Sequence, residues 1–168
     1  MCHKQRQGFT LIELTVVMAI LTVAVLFFTQ VMLASRRLDP VAEESRMAAE
    51  AARVRLEEMR ALPFEQIFGA YRSGQPNARF DVAGLSPAPG QDSVGRIELP
   101  ELAGALREDI ENKAWGLPRD LNRDGEVDAS DHALDALILP VTVRLEWASK
   151  SGKDGKRSLV LHSMLARL

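Results

Sequence analysis

The chain has 168 residues, of which 46% are hydrophobic, 26% charged and 5% aromatic, with a net charge of −2. That length allows one compact domain and little more, and 21 Lys and Arg against 23 Asp and Glu give no electrostatic footprint for nucleic acid, which is not expected as a partner. A single cysteine excludes an intrachain disulfide framework and a Cys-based zinc site, and three scattered histidines (His3, His132, His162) leave little for a histidine metal cluster.

Hydrophobicity is concentrated at one end. Twenty-two positions from Leu14 to Ser35 carry no charge, roughly 33 Å of helix at 1.5 Å per residue, enough to cross a hydrocarbon core of ~30 Å. Lys4 and Arg6 precede this run and place the N-terminus in the cytoplasm by the positive-inside rule, although Arg36 and Arg37 at the far end counter it. The run is too long for a secretory signal peptide, and Ala34-Ser35-Arg36-Arg37 is a poor cleavage site. An ordinary single-span anchor fits the length but leaves Glu13 unexplained, because a carboxylate entering the bilayer costs ~2.5–3.5 kcal/mol at helix centre.

Gly8-Phe9-Thr10-Leu11-Ile12-Glu13-Leu14, behind a short basic leader and directly ahead of the span, resembles the class III signal of type IV pilins and type II secretion pseudopilins. The resemblance is good from Met1 to about Leu62. It implies that prepilin peptidase removes residues 1–8 by cutting after Gly8 and methylates the new N-terminus at Phe9. It also implies that residues 9–35 form the transmembrane and assembly helix, and that Glu13 docks each subunit in a filament. The physics agrees: the new α-amine at Phe9 lies one helical turn from Glu13, and pairing Glu13 with a neighbour's amine offsets the burial of both charges. Ala19, Ala24, Thr15 and Thr22 permit close helix packing. Cleavage also removes Cys2, leaving no cysteine, and with Lys4 and Arg6 lost the net charge becomes −4.

Beyond the span, Asp39-Pro40 predicts a kink or short break near Leu38–Pro40. An amphipathic helix then completes residues 36–62, with Ala48, Ala52, Leu56, Met59 and Leu62 on one face and ion pairs four apart at Arg46–Glu50 and Arg53–Glu57 on the others. Pro63 ends it, and residues 63–168 form the head. Short strands are expected at 79–82 and 95–99 around a turn at 84–90, with 86–93 as a flexible loop. The stretch 141–147 alternates, placing Val141, Val143, Leu145 and Trp147 on one face, and residues 159–165 follow as its antiparallel partner across a polar turn at 149–156. The expected fold is α+β: a long N-terminal helix packed on a small antiparallel sheet, as the pilin resemblance also implies.

Residues 120–131 carry a second motif. Asp120, Asn122, Asp124, Asp128 and Asp131 stand at positions 1, 3, 5, 9 and 12 of a twelve-residue loop, Gly125 at position 6, and Glu126 at position 7 offers its carbonyl. Such an all-oxygen set suits Ca2+, and a site as weak as ~10⁻⁴–10⁻³ M would fill outside the cell. Five carboxylates so close together repel one another without a cation. The reading turns Val127 inward and makes residues 132–139 the helix that follows, lined or capped by His132. Asp131 in place of Glu makes the loop similar to the dockerin type, but dockerins carry two such loops and this chain one.

No G-x-S-x-G, P-loop, G-x-G-x-x-G or H-E-x-x-H is present, and the acidic cluster is accounted for by calcium, so no enzymatic activity is expected. His162 reads as a strand residue at the surface or in sheet packing. The expectation is a minor pilin or pseudopilin, single-pass in the inner membrane with its head in the periplasm. Its implied partners are prepilin peptidase, other pilin or pseudopilin subunits and the inner-membrane assembly platform. The alternative is a membrane-anchored calcium-dependent binding module that does not polymerise. A DNA-uptake pilin would need a basic strip, and Lys150, Lys153, Lys156 and Arg157 cluster in one turn interrupted by Asp154.

Overall fold

The computed structural model describes residues 10–149 and 155–167, residues 34–40 as backbone only. The leader with Cys2 and His3, the processing residues Gly8 and Phe9, and Lys150, Lys153 and Asp154 of the basic turn lie outside the described residues. The chain divides into two compact units, Met1–Pro40 and Val41–Leu168.

Helix α1 covers Leu11–Arg60. Its first turn is capped by Thr10, whose Oγ1 accepts the Glu13 N–H at 3.3 Å, one half of a capping box. From Leu11 to Leu33 the helix is long and apolar enough to cross a membrane, and none of it is buried. Thr15, Thr22 and Thr29 donate their hydroxyls to the carbonyls of Ile12, Met18 and Val25 at 2.8–3.0 Å. Backbone and threonine donors are thus satisfied inside the helix, as hydrocarbon demands. Of the kink or short break expected near Leu38–Pro40, the break does not occur, because α1 continues through Pro40. Proline removes one N–H from the ladder, and the bonds on either side can carry the helix past it.

In the second unit Ala48, Ala52, Leu56 and Met59 of α1 are buried in the head core, while Leu62 lies beyond the helix and packs partly against it. The small alanines let the sheet approach closely. Glu44, one turn earlier on the same stripe, is also buried, and its Oε2 accepts from Trp147 Nε1 and Ser149 Oγ, each at 3.1 Å. The ion pairs on the outer faces are three apart, Glu43–Arg46, Arg55–Glu58 and Glu57–Arg60, rather than the four-apart pairs expected. Arg46 hydrogen-bonds Glu43, and Glu50 adds only a smaller Coulombic attraction to it. A second helix, α2 (Phe64–Tyr71), starts at Pro63 and buries Ile67, Phe68 and Tyr71; its one-turn apolar spacing went unread in the sequence.

The five-stranded sheet is antiparallel throughout and built on β6 (Ile138–Ala148). Strand β7 (Arg157–Ala166) pairs along one edge from Ile138↔Ala166 to Trp147↔Arg157. The other edge takes β3 (Gly95–Glu98), register Ile97↔Val143, and further on β2 (Ser86–Pro87), register Pro87↔Trp147. Strand β1 (Arg79–Phe80) pairs with β3. Val141, Val143, Leu145 and Trp147 are all buried, as their alternation requires. The segment 86–93 is not a free loop: Ser86 and Pro87 join the sheet, and Ala88 is buried and donates its N–H to the Glu146 carbonyl. Gly95 is required by its partner Phe80, since a Cβ there would lie 2.3 Å from the ring. The Arg55 guanidinium lies over that ring, 4.7 Å from its centroid. A hairpin of β4 (Glu101–Leu102) and β5 (Ala105–Leu106) turns on Ala103 and Gly104, both left-handed. The result is the pilin-like α+β architecture, a long helix packed on a small antiparallel sheet.

Candidate assembly segment and cation loop

Glu13 sits exposed in the first turn of α1, at the end of the apolar span. Its own N–H is satisfied by Thr10.

The 120–131 segment lies between β5 and β6. Arg123 and Gly125 take left-handed conformations (φ 65° and 96°), which doubles the chain back as a cation loop requires. Asp120 accepts the N–H groups of Arg123 and Gly125, the latter at 2.9 Å. Asn122 Oδ1 accepts from Asp124 N at 3.1 Å, Asp124 Oδ1 from Glu126 N at 2.9 Å and Asp128 Oδ1 from Ser130 N at 2.6 Å. The Glu126 and Ser130 amides are the leading causes holding the Asp124 and Asp128 carboxyls below the usual range. Asp131 faces elsewhere: its Oδ1 accepts from Leu106 N of β5 at 2.9 Å and Ala133 N at 3.1 Å. With His132 N donating to the Leu106 carbonyl at 3.0 Å, it staples the end of the loop to the hairpin.

Two expectations around the loop are corrected. Val127 does not turn inward but is half-exposed; Leu121, wholly buried, takes the core position. Residues 132–139 do not form a helix. A single helical bond, Ala136 N to the His132 carbonyl, is followed at once by β6, and the Leu121 carbonyl captures the N–H groups of Leu137 and Ile138. Pairing Ile138 and Leu139 with β7 outweighs their weak local preference for helix.

His132 is therefore not a helix-lining residue. It is buried among carboxylates, with Nε2 at 3.2 Å from Asp128 and 3.4 Å from Glu108, and Nδ1 at 3.3 Å from Asp135. Burial disfavours its charged form, but Glu108, Asp128 and Asp135 outweigh that and raise its pKa above the ordinary imidazole value. Glu108 has no exposure at all, and its two oxygens accept from Leu121 N (2.8 Å) and Asp128 N (3.0 Å). Potential ligand atoms of Glu108, Asp128 and His132 lie within 4.8 Å of one another and could hold a metal ion. Of the six residues the motif nominated, only Asp128 belongs to this group. Glu108 and Asp135 were missed because neither falls on the motif's spacing.

The donor chemistry fits a hard cation in part. Asp120, Asn122, Asp124 and Asp128 present oxygens on a chain doubled back at Gly125, as the motif requires. Asp131 is engaged with the hairpin instead.

Outside the loop, His162 is exposed on β7, with Nδ1 at 2.8 Å from Thr142 Oγ1. In the basic turn, Lys156 pairs with Glu146 at 3.3 Å and Arg157 donates to Ser149 Oγ at 3.3 Å. Residues 3–29 match the prokaryotic N-terminal methylation motif. No curated protein and no solved structure matches the chain. The matched motif is a processing signal and not a catalytic one, and it implies prepilin peptidase and a membrane as the chain's first partners. Motif, single span and fold together are consistent with the pilin and pseudopilin family in general.

Proposed function

We propose that the chain is a minor pilin or pseudopilin subunit of a type II secretion pseudopilus or a type IV pilus. Prepilin peptidase cuts after Gly8 and Phe9 is methylated. The subunit then waits in the inner membrane with its head in the periplasm until the assembly platform loads it into the filament. The observation that carries this reading is a wholly exposed apolar span, Leu11–Leu33, with a carboxylate in its first turn and most of its length inside the methylation motif at residues 3–29. A span of that kind must be covered by lipid or by other helices, and Glu13 gives the second state a register. The head is stabilised by Ca2+ held by Asp120, Asn122, Asp124, Asp128 and the Glu126 carbonyl, and Asp131, whose Oδ1 is taken by Leu106 N and Ala133 N, adds its other oxygen. The cation supplies charge neutralisation and cross-linking of the loop and no catalytic step.

Glu13→Ala tests the assembly role and separates it from an inert calcium-binding anchor. Cleavage should proceed normally, while recovery in the sheared filament fraction should fall at least tenfold. Filament recovery equal to wild type would refute the reading. A deletion strain that traps exported enzymes in the periplasm, and releases them on complementation, would place the subunit in secretion; unchanged export would point to surface pili.

A further inference from the structure

The cation loop is held at both ends by one residue outside it. Glu108 comes from the segment just after β5, twelve positions before the first loop residue, and is completely buried. Burying a carboxylate is costly unless its oxygens are filled, and here each accepts a main-chain N–H: Leu121, second in the loop, on Oε2, and Asp128, ninth in the loop, on Oε1. Those donors flank Asp120 and Asn122 on the entering arm and belong to a nominated ligand on the leaving arm. One rigid, buried side chain therefore sets the distance between the two arms, and His132 Nε2, 3.4 Å from Oε1, packs against its open side.

We propose that Glu108 is a positioning residue for the cation loop, fixing the separation of its two arms. The inference rests on the calcium reading above. Outer-shell partners of metal ligands are worth roughly 10–100-fold in metal affinity when removed, and that is the effect expected here. Glu108→Gln puts an amide N–H against a main-chain N–H. Glu108→Asp keeps the charge but is one methylene too short to span both donors.

The test uses the full-length chain in detergent, stripped with chelator and titrated with CaCl2 by calorimetry, well below the melting temperature of every variant. Both Glu108→Gln and Glu108→Asp should bind Ca2+ at least tenfold more weakly than wild type while their far-UV circular dichroism stays unchanged. Glu98→Gln, which removes a carboxylate in the sheet far from the loop in sequence, should lower stability and leave affinity as it is; this separates positioning from general destabilisation. If wild type binds and both Glu108 variants bind equally well, the positioning role is overturned and the calcium reading stands. Full affinity in Glu108→Asp alone overturns it too, by showing that only charge matters. Absence of binding in the wild type overturns both.

Discussion

Glu98→Gln perturbs a stretch of sheet where like charges stand side by side, Arg79, Arg96 and Arg144 being in cross-strand register on β1, β3 and β6. Arg96 and Arg144 are direct cross-strand partners on β3 and β6, an arrangement that is unfavourable unless a counter-charge intervenes. Glu98 supplies it: Arg96 Nε and Arg144 Nε both donate to Oε1 at 2.8 Å, and Arg144 Nη2 reaches Oε2 at 3.3 Å. Burial pushes the carboxyl pKa up, but the two guanidiniums outweigh it and the net shift is downward. Hydrogen bonds to charged groups contribute ~1.5–3 kcal/mol when desolvated. The Glu98 side chain is 29% exposed, so screening reduces the joint contribution to about 1–2 kcal/mol. For a head of this size that corresponds to a fall in melting temperature of roughly 3–8 °C. The pH dependence has a definite sign. A carboxyl whose folded pKa is depressed stabilises the fold above its unfolded value of ~4.3, and that contribution disappears as pH falls through the lower folded value. The assay is thermal melting of the detergent-solubilised chain by near-ultraviolet circular dichroism at pH 7, 5 and 3. Glu98→Gln should melt below wild type at pH 7, and the two should converge towards acid. Identical melting at pH 7, or a deficit that persists once Glu98 is protonated, would refute the argument.

Two further substitutions test the packing. Gly95→Ala places a methyl group 2.3 Å from the Phe80 ring, and overpacking of this kind costs about 1–3 kcal/mol; a urea midpoint equal to wild type would show that the ring moves aside freely. Trp147→Phe preserves most of the ring but removes one donor to the buried Glu44 carboxylate. A loss of roughly 1–3 kcal/mol is expected for withdrawing a partner from a buried charge, read as a lowered urea midpoint with an unchanged slope.

The elements legible in the sequence were those decided by local pattern. The alternation of Val141, Val143, Leu145 and Trp147 fixed which face of β6 is buried, and the spacing of Ala48, Ala52, Leu56 and Met59 fixed the buried stripe of α1. What could not be read depended on partners distant in the chain. Ser86 and Pro87 look like loop residues and become strand because β6 extends past β3 and offers them an edge. Residues 132–139 look helical until the Leu121 carbonyl and β7 claim their backbone. Glu108 carries no motif of its own, and its importance arises only when folding brings the two arms of the loop to it.

The same distinction separates the two functional segments. A processing peptidase meets the N-terminus as a linear stretch, and on the proposed filament reading other subunits would meet the first turns of a regular helix. What they recognise is therefore written in consecutive residues, and 3–29 are the residues that match a known motif. The surfaces of the head are assembled from segments far apart, such as the acidic loop between β5 and β6, where Leu134 is 83% exposed and Val127 half-exposed. Surfaces of that kind leave no linear signature. The N-terminus can thus be read as a processing signal from its linear sequence, while what the head contacts can be read only from its folded shape.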